Sequence, residues 1–201
     1  MCQRDDLILE FHMDDNILLE KIANKDENAF QFFVEKYHTL VLNVCNNILN
    51  SYDDSMDVSQ EVFMKIYESI ENFRGDSKVT TWLYRISVNK SLNYLRSQKK
   101  SKWFSSLDIL FNNNIKNYEP EDDSLKPGED IEQEENKKVL YYALRKLPKK
   151  QNIAITLNNF EDLSYKEISE VMQISVSEVG VLINRGKKKL QKLIIDYYKN
   201  N

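Results

Sequence analysis

Apolar residues recur at three- and four-residue intervals along much of the chain, the spacing that lines them up on one face of a helix. Phe30, Phe33, Val34, Tyr37, Val41, Val44, Cys45 and Ile48 form the first such run, with Asp26 placed to cap its amino end. The polar stretch Asn50–Asp54 interrupts it. A second run carries Val58, Val62, Phe63, Ile66, Tyr67 and Ile70. Asn-Phe-Arg-Gly-Asp-Ser over residues 72–77 reads as a turn around Gly75. A third run, from about Lys78 to Gln98, carries Trp82, Leu83, Ile86, Leu92 and Leu95. Together these predict one compact helical domain over residues 13–100.

Periodicity stops at residue 101. Asn112–Asn114, Pro120, Pro127-Gly128 and a run of acids describe a linker over 101–134. Its early part, Trp103-Phe104 and Leu107–Phe111, is apolar enough to lie along a partner. Over 135–198 the helical period returns, and Pro148 divides a helix ending near Leu147 from the next. Two serine–glutamate pairs then stand at capping-box spacing, Ser164-Tyr-Lys-Glu167 and Ser175-Val-Ser-Glu178. They predict a short helix over about Tyr165–Met172 and a longer one from Val176, which is helix-turn-helix spacing. Val179, Ile183, Gly186, Leu190 and Leu193 make the inward stripe of the longer helix, where Gly186 lets a neighbouring helix approach closely.

Four Gly and three Pro in 201 residues are too few for the turns of an all-β fold. The expected fold is therefore all-α: two small helical domains joined by a flexible acidic linker, the second containing the helix-turn-helix. Cys2 and Cys45 are the only cysteines, without the spacing of a disulfide framework, which suits a reducing compartment. His12 and His38 are the only histidines, so no Cys/His zinc set can be assembled and no metal or cofactor is expected. No apolar run approaches the ~18 residues of a membrane span, and the start lacks the pattern of a signal peptide. The chain reads as cytoplasmic. No nucleophile–base pair or phosphate-cradling glycine loop is visible, so no catalytic residue is expected.

The net charge of −4 is unevenly spread. Residues 85–102 carry Arg85, Lys90, Arg96, Lys99, Lys100 and Lys102 with no acid; residues 119–135 carry nine acids against Lys126. Residues 185–199 carry Arg185, Lys187, Lys188, Lys189, Lys192 and Lys199 against Asp196. Two basic blocks parted by an acidic one point to nucleic acid, because cations supply sequence-independent affinity for phosphate. In the third helix Trp82, Tyr84 and Tyr94 stand among the basic residues, a mixture suited to stacking on unpaired bases. The alternative is that Trp82 and Tyr94 are core residues of an amphipathic helix. The helix-turn-helix segment taken alone is also compatible with plain bundle packing.

Asp57-Val-Ser-Gln-Glu-Val-Phe63, Phe73-Arg-Gly-Asp-Ser77, Thr81-Trp-Leu-Tyr-Arg-Ile-Ser-Val-Asn89 and Leu95-Arg96 resemble region two of the extracytoplasmic-function sigma factors of bacterial RNA polymerase. Leu147-Pro148, Ala154-Ile-Thr-Leu157, Leu163-Ser-Tyr-Lys-Glu-Ile168 and the helix from Val176 resemble region four. The resemblance runs from about Met13 to Leu193, with the blocks in order and a linker between them. Residues 1–12 fall outside it, which leaves Met13 as a second candidate start.

The resemblance implies an alternative sigma factor that binds core RNA polymerase and directs promoter-specific initiation. It implies that Asp57, Gln60, Glu61 and Lys65 dock on the polymerase. Phe73, Trp82, Tyr84, Arg85, Asn89, Lys90 and Arg96 would recognise and melt the minus-ten element, Asn89 taking a flipped base. The linker would follow the RNA exit path. Ser177, Glu178, Asn184, Arg185, Lys187 and Lys188 would meet the minus-thirty-five element. Control by an anti-sigma factor is implied as well. One departure stands out: where many members carry basic residues early in the recognition helix, this chain has Gly180, Val181 and Leu182. The alternatives are a stand-alone helix-turn-helix regulator, which gives Asp57–Phe63 no role, and a helical interaction module without DNA.

Overall fold

The structure is a computed structural model that describes residues 14–73, 75, 77–109 and 131–200. Among them the regular structure is helical, with no strand. Helix α1 spans Asp15–Ala23, α2 Glu27–Leu49, α3 Tyr52–Ser69 and α4 Val79–Ile109; α5 spans Ile131–Arg145, α6 Lys149–Asn159, α7 Tyr165–Met172 and α8 Val176–Asn200.

Local chemistry sets most of these boundaries. The Asp26 carboxylate accepts from the Ala29 N–H at 3.1 Å and caps α2. Asn50 closes α2 in the left-handed region, at φ 57, a conformation asparagine adopts at little cost. Ser51 at once caps α3, its hydroxyl accepting from the Asp54 N–H. The expected polar break of Asn50–Asp54 is thus only two residues long, because each of the two caps a different helix. Gly75 supplies φ 74 in the turn before α4, a value a side chain would disfavour.

Two boundaries differ from expectation. Helix α4 runs on to Ile109, past residue 100 where the linker was expected to begin. No Gly or Pro lies between Gly75 and Pro120, so nothing in residues 101–109 breaks the helix. Helix α5 opens at Ile131, inside the acid run, since carboxylates at a helix amino end complement its dipole. The remainder of the linker, residues 110–130, with its asparagines, prolines and most of its acids, lies outside the described residues, as do residues 1–13 with Cys2 and His12.

Helices α1–α4 enclose a core in which Leu18, Ile22, Phe33, Val41, Ile66 and Leu83 are shut off from solvent. Each such side chain stabilises the fold by about 1.5–3 kcal/mol through burial. In the second half Leu144, Leu147 and Ile155 pack with Leu140, Leu190 and Leu193, holding α5 and α6 against α8. The expected role of Gly186 is met here: a Cβ at this position would lie 2.6 Å from Ile155 Cδ1 and 3.3 Å from Gln151 Cβ.

A third core joins the halves. Val44 and Ile48 of α2 and Tyr84 and Val88 of α4 pack with Ile153, Ala154 and Leu157 of α6, Leu163 before α7, Ile168 and Val171 of α7, and Val179 and Ile183 of α8. The two helical domains therefore do not stand apart as beads on a tether. The Lys149 ammonium, at the start of α6, donates to the Ile48 carbonyl at 3.2 Å and seals the edge of this core.

Candidate nucleic-acid interface

Helix α3 buries Ser55, Val58, Ser59, Val62, Phe63 and Ile66. Its outward face therefore carries Asp57, Gln60, Glu61, Met64 and Lys65, all exposed. The four polar residues named in the sequence lie together on this face. Met64, in their midst and 64% exposed, was not among them; its signal is an apolar residue in polar phase. Glu61 accepts from Lys90 of α4 at 3.0 Å, and Lys65 lies 3.5 Å from Glu68. Both pairs are exposed enough for water and salt to screen them.

Helix α4 has two faces with different surroundings. On one, Arg85, Asn89, Asn93 and Arg96 follow one another at three- and four-residue steps; Asn89, Asn93 and Arg96 are exposed and Arg85 half-buried. The Arg96 guanidinium donates to Asn93 Oδ1 at 3.1 Å, which brings Asn93 into the stripe although the sequence had not singled it out. Lys90 borders it. At the amino end Trp82 is buried, and the half-buried ring of Phe73 lies against it with centroids 5.0 Å apart. Tyr94 spends its hydroxyl within the domain, donating to Asp54 Oδ1 at 2.5 Å and accepting from Gln98 at 2.9 Å.

On the other face of α4, Tyr84, Ser87, Val88 and Ser91 are buried. The Tyr84 ring belongs to the shared core, and its hydroxyl donates to Glu161 Oε2 at 2.9 Å. Burial next to that carboxylate pushes the Tyr84 phenol well above its ordinary value. Burial also raises the Glu161 carboxyl, against the opposing pull of the tyrosine hydrogen bond. Of the three aromatics that the sequence placed among basic residues, Trp82 and Tyr84 are buried in this arrangement and Tyr94 is half-buried.

Helices α7 and α8 form the helix-turn-helix. Ser164 and Glu167 make the full capping box, the Ser164 N–H donating to Glu167 Oε2 at 3.0 Å and the Ser164 hydroxyl accepting from the Glu167 N–H at 3.3 Å. Glu167 also holds Lys78, from just before α4, at 2.8 Å. That ammonium, with the Ser164 N–H and hydroxyl, draws the Glu167 carboxyl down to about 2. Gln173 turns the chain with φ 55. At the start of α8 the Ser175 hydroxyl accepts from the Glu178 N–H at 3.1 Å. The Glu178 carboxylate faces Lys150 of α6 at 3.7 Å instead of returning to Ser175 as a second capping box would require. A nearby ammonium competes successfully for it.

Val179 and Ile183 are buried and Gly186 is pressed on Ile155, so α8 turns Ser177, Val181, Asn184, Arg185 and Lys188 outward, with Glu178 and Lys187 at the flanks. All the sequence-predicted residues of this helix are exposed. Cys45 is buried, and desolvation raises its thiol to about 11, so it is held as an unreactive core group. Among the described residues no group of His, Cys, Asp or Glu is gathered as a metal would need, and no helix is long and apolar enough to cross a membrane.

Comparison with known proteins identifies this architecture. Residues 33–101 match the Sigma-70 region 2 family and residues 137–190 the Sigma-70 region 4 family. The ECF RNA polymerase sigma-E factor of Escherichia coli strain K12 is 33% identical over 184 residues, 90% of this chain and 96% of that one. The same factor of Haemophilus influenzae is 34% identical over 183 residues, 90% of this chain and 95% of that one. The fold is that of CnrH solved in complex with the cytosolic domain of CnrY, with a TM-score of 0.63 at 21% identity over 90% of this chain and 97% of that one. It is also that of the Bartonella quintana sigma factor RpoE solved with the anti-sigma factor NepR, with a TM-score of 0.60 at 19% identity over 82% and 96% of the two chains. With relatives of this identity spanning nearly the full length of both chains, the protein belongs to the ECF family of RNA polymerase sigma factors.

Proposed function

We propose that this alternative sigma factor binds core RNA polymerase through the outward face of α3, at Asp57, Gln60, Glu61 and Lys65, with Met64 as an apolar contact among them. The minus-ten element meets α4. Asn89 takes a flipped base, since its amide offers both a donor and an acceptor to a base edge. Arg85, Lys90 and Arg96 follow the phosphates, and Phe73, Trp82 and Tyr84 shape and support that face. The minus-thirty-five element meets α8, with Ser177, Glu178 and Asn184 toward the bases and Arg185, Lys187 and Lys188 toward the backbone. Residues 13–100 and 135–198 act as the two functional units with 101–134 between them, working in the cytoplasm without catalysis of their own. The observation that carries this reading is the stripe Arg85–Asn89–Arg96, half-buried at Arg85 and exposed beyond it, on a helix whose opposite side is buried.

Promoter engagement then requires the halves to part. The two elements lie about 25 base pairs apart, roughly 85 Å of duplex at 3.4 Å per pair. A chain of this length folded around shared cores spans only about 45 Å. The core that joins Val44, Ile48, Tyr84 and Val88 to the helix-turn-helix opens as polymerase spreads the domains. An anti-sigma factor is the partner that would oppose this; Bartonella quintana RpoE, a protein of this fold, is solved in complex with the anti-sigma factor NepR.

Run-off transcription with core RNA polymerase on genomic fragments, with and without the protein, tests the assignment. Defined transcripts that appear only with the protein support it. No transcripts together with no binding to core would overturn it.

A further inference from the structure

Of Gly180, Val181 and Leu182, where many family members carry basic residues, Leu182 packs against the shared core and Val181 faces outward from α8. Buried Val179 and Ile183 fix the inner line of α8. At about 100° per residue, Val181 stands about 200° from Val179 and about 160° from Ile183, which points it directly away from the protein. It is 44% exposed. Ser177 and Lys188 share its outward line, and Asn184 and Arg185 flank it. Glu178, the long side chain of the first turn, stands at the flank of that line, its carboxylate 3.7 Å from Lys150. In the first two turns of α8, the part of a recognition helix that reaches base edges, the outermost side chains are thus a serine and a valine.

Gly180 beside it is not demanded by the fold. A Cβ there would meet Tyr165 Cε2 at 3.7 Å, an ordinary contact, and the helix interior gives no conformational reason for glycine. Such a glycine lowers helix stability by about 1 kcal/mol relative to alanine. Its effect is to leave the flank of the helix next to Val181 bare.

In the major groove the bases present donors, acceptors and a single apolar group, the C5-methyl of thymine. Valine can satisfy no donor or acceptor, and placed against the amino group of cytosine it would strip water from that group without replacing it. We infer that Val181 is a specificity-determining residue of minus-thirty-five recognition, seating its methyls against a thymine methyl, and that Gly180 lets the helix lie deep enough for the contact. Ser177 and Asn184, one turn away on either side, contact the neighbouring pairs. The inference rests on the reading of α8 as the recognition helix.

The test uses the full-length chain in holoenzyme with core RNA polymerase, on a promoter isolated by run-off transcription. Each thymine of the minus-thirty-five element, on either strand, is replaced singly by deoxyuridine, which lacks only the methyl group. One position is expected to raise the half-saturating holoenzyme concentration about fourfold, the worth of one buried methyl. Val181→Ser should bind the parent promoter more weakly and lose discrimination between thymine and deoxyuridine at that position alone. If no deoxyuridine matters, or Val181→Ser still discriminates, the inference fails while the recognition helix stands. If scrambling the whole element leaves transcription unchanged, the role of α8 itself is wrong and the inference falls with it.

Discussion

The hydroxyl of Tyr84 and the carboxylate of Glu161, 77 residues apart, meet at 2.9 Å and tie α4 of the first domain to the loop before the helix-turn-helix. The same pair of elements is joined again where Lys78 meets Glu167 at 2.8 Å. Both links flank a common apolar core. They add polar links to the contact that this core makes between the two halves.

Replacing Tyr84 by Phe keeps the ring in that core and removes only the hydrogen bond. Closure should weaken by about 1 kcal/mol, roughly fivefold in the closed-to-open ratio. The Glu161 carboxyl, already raised by burial and losing the bond that opposes this, should titrate higher still. Fluorescence transfer between labels on the two domains, with carboxyl NMR of Glu161, measures both. An unchanged ratio and an unchanged titration would show that the bond contributes nothing to closure.

The two carboxyls give the interdomain contact opposite responses to pH. Glu161 is raised in the closed form, so closure binds its proton more tightly and strengthens as pH falls through the raised value. Glu167 is lowered to about 2, chiefly by Lys78. Ser164 keeps its hold on Glu167 when the domains part, so closure gains only the Lys78 share. That share is complete above the unperturbed value of about 4.3 and fades as pH falls toward 2. Closure should accordingly peak in mild acid and decline below about pH 4. Lys78→Met should abolish most of the decline, and so should added salt, because the ammonium is exposed. A decline that survives both changes would assign it to other groups.

Gly186→Ala forces a methyl into Ile155 and Gln151, and should cost the fold about 1–3 kcal/mol by denaturant unfolding. Gly180→Ala, in the same helix with space available, should stabilise by up to about 1 kcal/mol. Equal effects at the two positions would contradict the packing described.

Asn89→Ala should impair open-complex formation, seen by permanganate reactivity of unpaired thymines, while core binding stays intact. Met64→Asp should do the reverse, weakening core binding several-fold without unfolding the chain, since the side chain is exposed. Loss of core binding in the Asn89 variant would make its assigned role wrong.

Much of this was legible without a structure because it is local. Helical period, the caps at Asp26 and Ser164, the turn at Gly75 and the small size of Gly186 follow from neighbours a few residues away, where side-chain chemistry and backbone sterics decide the outcome. Asp57, Gln60, Glu61 and Lys65 came instead from the family resemblance, and they lie exposed on the outward face of α3. Met64 escaped notice although its phase gives it away: it is an apolar residue in line with the polar positions of α3. The second capping box misled because its glutamate had a competitor, Lys150, on another helix.

The sequence by itself thus determined the elements, their two groups, the charge carried by each and the family. Only the tertiary structure decided which face of each element is free. Tyr84, read among basic residues as a base-stacking ring, is enclosed by helices that begin more than sixty residues later, and Glu161 completes its hydrogen bonding. Whether an aromatic ring stacks on DNA or on its own protein depends on what arrives from distant parts of the chain. Burial is a property of the assembled whole, and the spacing of residues along one helix carries no record of it.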